Sequence, residues 1–538
     1  MKRALGAYAA VCFAFLYLPL MVLVVFSFNR SKFTVWEGFS LNWYYAVANN
    51  PDLGWATRNS IVIAIVSATV STAIGTMAAY GLWKRRSPVL SSALYLTLVT
   101  PEIVTGISLL AFFQFVFRYL HLQLGLYTVI LAHIAFSIAY VAIVVSARLG
   151  AMDPALEEAS AASGATPLKT FRRVTLPVLL PGLLAPVVLI TLITAEQFEL
   201  PLIIGLPAKV SVFSYRVYFE LNPLGSLPNY GAAAALSLPF VLFGVLLLAL
   251  YNRMIRRSER HVTVTGKAFR QRRLRLGAWR IPALCFVALY VAIAVALPVA
   301  VLLWTSFFGY TPPLAATRDA FSLEAYRQLF ANRAFWTGLV NTLTVATLSA
   351  ALVTAIGGLL GWIITRSRSR WRHALDLMSV LSVGIPAVIA GLGVMILHLS
   401  LPIGLYGTVW ILVLAYSYRF ATTTRLARAG LMQIHRELEE ASAVAGARWA
   451  TTQRRILIPL MRPALVTGFV LLFIVGVREF TIPLVLYSQD NVVLSVLLWQ
   501  LFQYGQPAPS AALACLVIVV VLPVVVLVRR YLTARALA

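Results

Sequence analysis

Two short strings have the residue types and spacing to act as chemical elements. Glu158-Ala159-Ser160 is followed by Gly164 and then by Leu176-Pro177, and Glu440-Ala441-Ser442 is followed, at the same spacing, by Gly446 and Ile458-Pro459. Acids favour the first turn of a helix, where the macrodipole attracts them, and glycine suits the residue that ends one. Each string therefore reads as a short capped helix, which could also simply lie on the membrane surface. Asp153-Pro154 and the acids Glu157 and Glu158 strengthen the first copy, as Glu437, Glu439 and Glu440 do the second. Lys169, Arg172 and Arg173 follow the first glycine, and Arg448, Arg454 and Arg455 follow the other. A second candidate group lies in apolar surroundings: Glu196 and Glu199 in one stretch, Arg478 and Glu479 in another. Charges at such depth are costly and mark a pathway or a paired contact.

An enzyme reading finds no nucleophile or acid–base pair at useful spacing. Cys12, Cys285 and Cys515 each stand alone in apolar sequence and are expected to be buried packing residues. His133 and His398 are isolated and are expected to be packed or hydrogen-bonded, and no His, Cys and carboxylate cluster has metal-ligand spacing. There is no GxxxxGK[ST] phosphate loop, since Gly266-Lys267 is followed by Ala268. ATP would have to be bound elsewhere.

The two docking strings stand 282 residues apart. The same offset pairs Phe39-Ser40-Leu41 with Phe321-Ser322-Leu323, Asn59 with Asn341, Ala73-Ile74-Gly75 with Ala355-Ile356-Gly357, and Pro181 with Pro463. The chain is two tandem copies of one unit.

The surrounding elements follow from composition. Hydrophobic residues make up 60% of the 538, and only 12% are charged, against roughly a quarter in soluble domains. Apolar runs near the ~20 residues that cross a bilayer fall at about 7–28, 60–82, 89–117, 126–148, 176–204 and 232–254, and again at about 281–306, 340–365, 374–399, 404–428, 458–487 and 509–532. These runs are too long and too uniformly apolar for barrel strands, so the fold is expected to be all-α and integral to the membrane. Twelve spans form two parallel six-helix repeats, and the first apolar run is expected to be a retained span.

The formal charge of +26 does not point to nucleic acid, because of where the basic residues sit. Lys84, Arg85 and Arg86, then Arg148, Arg253, Arg256 and Arg257, and in the second repeat Arg366, Arg368, Arg370, Arg372, Arg425, Arg428, Arg529 and Arg530 all follow even-numbered spans. By the positive-inside rule that side is cytoplasmic, with both termini and both docking strings on it. Arg419 is one more charge near the end of a span, where its stem can snorkel. Residues 1–258 and 279–538 are the expected halves. The basic linker 259–278 is expected to set topology and touch anionic lipid. Trp36, Trp43, Tyr44, Tyr45, Tyr215, Tyr218 and Trp336 lie in the external segments, as interface aromatics do.

At the repeated strings the chain resembles the permease subunits of ATP-binding-cassette (ABC) importers, whose EAA signature has this spacing in the loop between spans 4 and 5. The resemblance covers nearly the whole chain and implies the type I importer permease fold in a bacterial inner membrane. It implies that Glu158, Ala159 and Gly164 dock one cytoplasmic ABC ATPase, that Glu440, Ala441 and Gly446 dock a second, and that the partners bind the ATP. It also implies an external, periplasmic solute-binding protein. Ser160 and Ser442 replace the usual third alanine; both are small, and little consequence is expected.

The 282 offset sets Glu196 opposite Arg478 and Pro201 opposite Pro483, so spans 5 and 11 are expected to face each other across the pathway. Glu196 and Arg478 are then either gate groups or a salt bridge that locks the halves. The strings Glu196–Gly205 and Arg478–Tyr487 in a fused layout are similar to the ferric-iron permease group, which also contains thiamine and aminoethylphosphonate permeases. Ser27-Phe28-Asn29 and Thr100-Pro101-Glu102-Ile103-Val104 are similar to polyamine permeases. Carboxylates suit ferric iron, a hard cation that prefers oxygen ligands, and equally suit a polyamine; ferric iron is the first expectation. A secondary transporter driven by an ion gradient is the alternative class; it would carry its signature loops between spans 2 and 3.

Overall fold

The computed structural model describes residues 2–84, 94, 100–150, 152–153, 155–223, 225–259, 280–309, 320–367, 372, 375–376, 379, 384–419 and 423–536. The expected basic linker, beyond Glu259, lies outside them, as does the side chain of Arg419. In the first repeat the helices are α1 (Lys2–Phe26), α2 (Pro51–Lys84), α3 (Glu102–Leu120), α4 (Leu126–Gly150), α5 (Ala155–Ala162), α6 (Leu176–Glu196), α7 (Phe213–Leu221) and α8 (Tyr230–Glu259). The second holds α9 (Arg280–Val291), α10 (Leu297–Phe308), α11 (Arg333–Arg366), α12 (Ala387–Ser400), α13 (Val409–Arg419), α14 (Thr423–Met432), α15 (Glu437–Val444), α16 (Ile458–Arg478), α17 (Leu494–Gln503) and α18 (Pro507–Ala536).

Seven helices among the described residues are long and apolar enough to cross a bilayer alone, and a bent pair over residues 167–196 makes an eighth. Shorter apolar helices at Ala10–Phe26, Ala387–Ser400, Val409–Tyr418 and Pro507–Val520 fall where the remaining four spans are expected. Leu180, Leu184, Leu242 and Leu246 are exposed on these helices. An outer surface as apolar as the interior suits hydrocarbon, not water.

The first helix of each repeat reaches across to the other. α1 packs along α12 of the second repeat, and α10 along α3 of the first. One apolar core consequently draws on both halves, with Leu200, Ile203 and Ile204 joining Ile482, Val485 and Leu486. A further crossing depends on glycine: a Cβ at Gly244 of α8 would fall 2.3 Å from the backbone oxygen of Gly384. No larger residue fits that approach without backbone movement.

Spans 5 and 11 differ from expectation, because neither is continuous. α6 ends at Glu196 with Gln197 extended (φ −64°, ψ 134°), and α16 ends at Arg478 with Glu479 extended (φ −63°, ψ 131°). Pro201 and Pro483 explain both breaks. Proline has no N–H for the carbonyl four residues before it, and those carbonyls belong to Gln197 and Glu479. The Ser214 hydroxyl donates to the freed Gln197 carbonyl at 3.0 Å, and Ser495 donates to that of Glu479 at 2.7 Å. Hydroxyls from α7 and α17 thus supply what lipid cannot.

The matched asparagines also acquire a role. Asn59 Nδ2 donates to the Ser211 carbonyl at 3.0 Å, and Asn341 Nδ2 to that of Val492 at 2.8 Å. Each ties span 2 or 8 to the segment returning from the broken helix. Cys12 and Cys515 are buried as expected, but Cys285 is exposed on α9. A helix facing hydrocarbon does not have to bury an apolar thiol in protein.

Candidate functional site: two repeated loops and an axial cavity

The two docking strings fold alike. α5 and α15 end in glycines with left-handed backbone, Gly164 at φ +77° and Gly446 at φ +78°. The Ala165 N–H donates to the Ser160 carbonyl at 3.1 Å, and the Ala447 N–H to that of Ser442 at 3.1 Å. This six-to-one bond closes a glycine-terminated helix end. A Cβ at either glycine would meet no heavy atom of this chain within 4 Å. The glycines are therefore required by backbone angle, and the space in front of them is open. Ala159, Ala441 and Glu440 are exposed and Glu158 is half-buried. Glu440 lies 3.6 Å from Arg436 one turn earlier. Leu156 and its repeat partner Leu438 are both exposed, as is Val444 at 90%.

The serines make a matching contact in both repeats. Ser160 Oγ lies 2.9 Å from Thr170 Oγ1, and Ser442 Oγ lies 2.9 Å from Thr452 Oγ1. Each hydroxyl pins its docking helix to the start of the next span, a contact that alanine cannot make. Next to these threonines, Phe171–Thr175 and Gln453–Leu457 form π-helical turns at the same place in both repeats.

The acid one residue before each signature glutamate holds the loop to the bundle. Glu157 is buried, and it accepts from the hydroxyls of Tyr80, at 3.4 Å, and Thr175. Its repeat partner Glu439 is 3.0 Å from Arg366 and accepts from the Trp362 indole N–H at 3.3 Å. Arg366 also donates to the carbonyls of Leu431 and Ile434, so it joins the ends of spans 8 and 10 to the docking helix. The acids were visible in the sequence as helix-start residues. Their partners, 77 residues back at Tyr80 and Trp362, were not.

The second site lies between the halves. The broken ends of α6 and α16 face a cavity of ≈ 170 Å³ lined by ten residues. Eight are partners at the 282 offset: Ile193 with Val475, Glu196 with Arg478, Gln197 with Glu479, and Glu199 with Thr481. The other two, Glu102 and Ala387, are the first residues of α3 and α12, each capped by a proline with nearly the same backbone angles. Repeat partners also touch: Thr481 donates its hydroxyl to Glu199, and the Phe198 and Phe480 rings stack with centroids 6.4 Å apart. Equivalent residues meet only on the axis that relates the copies. The cavity is therefore axial.

Its ion pair involves a residue that the sequence reading had not placed there. Arg478 and Glu196 line the same cavity, and the guanidinium donates to Glu102 at 2.7 Å. The other oxygen of Glu102 accepts from the Gln197 amide at 3.1 Å, and Arg478 also reaches the Tyr140 hydroxyl at 3.4 Å. Glu102 and Arg478 belong to opposite halves, so the pair is a bond between them. Glu199 is buried and accepts from the Phe198 N–H, while Glu479 accepts from that of Ile482. His133 and His398 each bond a carbonyl one turn back, Val129 and Val394, at 2.8 Å. Among the described residues no group of three or more His, Cys, Asp and Glu side chains is arranged to hold a metal ion.

Comparison with known proteins agrees with the duplication. The family model for the binding-protein-dependent transport system inner membrane component matches twice, at residues 71–260 and 354–535. The spermidine/putrescine transport system permease protein PotC of Escherichia coli K12 is 32% identical over 238 residues, covering 41% of this chain and 87% of that protein. The putative ferric transport system permease protein FbpB 1 of Haemophilus influenzae is 25% identical over 356 residues, covering 65% and 55%. Among solved structures, a bacterial ABC transporter involved in alginate import aligns with a TM-score of 0.38 at 19% identity, covering 49% of this chain and 99% of that one. With both repeats matched over most of their length, the chain belongs to the binding-protein-dependent transport system inner membrane components, the membrane-spanning permeases of ABC importers.

Proposed function

We propose that this permease imports a cation through the axial cavity, driven by two cytoplasmic ABC ATPases that dock on α5 and α15. Glu158, Ala159 and Gly164 form one contact surface, and Glu440, Ala441 and Gly446 the other. An external, periplasmic binding protein delivers the solute to the opposite side. Residues 1–258 and 279–538 act as two rocking halves joined by the 259–278 linker, with both termini in the cytoplasm. Glu196, Glu199, Arg478 and Glu479 form the gate, and the Glu102–Arg478 pair holds it closed in this state.

The lining charge carries the cation reading. Four carboxylates, Glu102, Glu196, Glu199 and Glu479, face one guanidinium, and a surplus of acids lowers the electrostatic cost of a cation away from bulk water. Ferric iron remains the first cargo, since the likeness to a ferric permease extends over 356 residues and so beyond one repeat. A polyamine is the second, supported by the higher identity to a spermidine/putrescine permease over one repeat. Both are tested by accumulation of radiolabelled ferric iron and radiolabelled spermidine in cells with and without the chain. The expected result is chain-dependent iron uptake that falls about tenfold when Glu196 and Glu479 are both changed to Gln, the loss of roughly 1.4 kcal/mol of stabilisation. Uptake of spermidine alone would reassign the cargo, and uptake of neither would sink the cation reading.

A further inference from the structure

The largest cavity described, ≈ 610 Å³, lies away from the axis, between α3, α10 and α18. From α3 it is lined by Ile107, Leu110, Ala111, Gln114, Phe115 and Arg118, the three-and-four spacing of one helix face. From α10 it is lined by Leu297, Ala300, Val301, Trp304 and Thr305, at the same spacing. Two apolar faces are thus held apart along a groove.

We infer that this groove binds one phospholipid, its acyl chains lying between α3 and α10 and its phosphate on Arg118.

Three observations fix the occupant. Phe115 and Tyr119, which line the groove, are exposed in a chain whose outer surface suits hydrocarbon, so lipid is the medium that fills it. From Ile107 to Arg118 the α3 face runs about 16 Å at 1.5 Å per residue, close to one leaflet's share of the ~30 Å hydrocarbon core. Arg118 is exposed in the last turn of α3, and among the described residues it has no acid within ion-pair distance. A guanidinium at that depth suits a phosphodiester, which it can grip with two parallel hydrogen bonds.

The quasi-equivalent contact in the other half is closed. There α12 meets α1 so tightly that a Cβ at Gly393 would fall 2.9 Å from the Pro19 carbonyl oxygen. Counted from the matching cap residues Pro101 and Pro386, the position of Arg118 falls at Ile403, past the end of α12 at Ser400. That approach is closed where the groove between α3 and α10 is open, and the groove belongs to the helix whose first residue, Glu102, makes the cross-half ion pair.

The test is native mass spectrometry of the purified permease with its partners, titrated with phosphatidylglycerol and, in parallel, with diacylglycerol of the same chains. One phosphatidylglycerol per chain should be retained, and diacylglycerol at least fivefold less. Arg118→Gln should lower phosphatidylglycerol retention at least fivefold, whereas Arg327→Gln, another exposed arginine outside the groove, should leave it unchanged. Ala300→Trp and Ala111→Trp fill the groove from opposite walls, and each should abolish the bound lipid. Equal retention of the two lipids, or retention insensitive to both Arg118→Gln and the tryptophans, would mean annular lipid only and would overturn the site.

Discussion

The first and second repeats keep the same backbone in their Glu-Ala-Ser loops and diverge where side chains anchor them. Gly164 and Gly446 have φ angles of +77° and +78°, and the Ser160–Thr170 and Ser442–Thr452 contacts have the same length. Glu157 is anchored by Tyr80 and Thr175, whereas Glu439 is anchored by Trp362 and Arg366, and the position matching Thr175 is Leu457. The axis shows the same divergence: Glu102 is matched by Ala387, and Glu196 by Arg478. Duplication preserved the surface offered outward, and the contacts behind it drifted to whatever satisfied a buried acid. Polar groups taken out of water must be paired, but not by any particular partner.

The shared feature predicts the largest effect. Replacing both Gly164 and Gly446 with Leu places side chains at positive φ and fills the open space in front of both helices. Co-purification of the ATPase with the permease should be lost, while either single change leaves a partial signal. If the double variant still retains its ATPase, the two loops are not the docking elements.

The divergence on the axis predicts the next. Reversing Glu102 to Arg or Arg478 to Glu alone leaves like charges facing each other in a largely buried site, a penalty of about 3–5 kcal/mol. Transport should fall on the order of a hundredfold in each and recover in the double reversal. Additive losses would show that the two residues act separately.

At the loop anchors the effects should be smaller and unequal. Arg366→Met leaves the Glu439 carboxylate without its guanidinium and should cost about 3 kcal/mol. Thr175→Val removes one hydroxyl from Glu157 and should cost about 1 kcal/mol. Thermal unfolding of the purified permease reads both, and equal shifts would erase the contrast between the repeats. The smallest and most even effect belongs to Ser160→Ala and Ser442→Ala, about 1 kcal/mol each. A large difference between those two would mean that the loops diverge at their tips as well.

Much of this molecule was legible from residue types. The Glu-Ala-Ser strings, their glycines and the 282 offset marked both short helices, α5 and α15. Hydropathy placed all twelve spans, because whether a segment enters lipid depends on its own side chains. The breaks in spans 5 and 11 were also written locally, in Pro201 and Pro483, but the apolar runs were read as unbroken. A proline signals a break only once the lost carbonyl bond is counted and a donor such as Ser214 or Ser495 is found to replace it. Nothing local indicated the hydroxyl bridge from Ser160 to Thr170.

The sequence alone determined the duplication, the membrane class and the two capped helices, because each is written in local strings of residue types that can be read and compared without the fold. Tertiary structure decided that Arg478 bonds Glu102, 376 residues away, that Thr481 meets its own repeat partner Glu199, and that one side groove is open while its counterpart is closed. Such contacts exist only when two halves cross on an axis, and a charge buried there takes whichever partner the packed helices bring within reach.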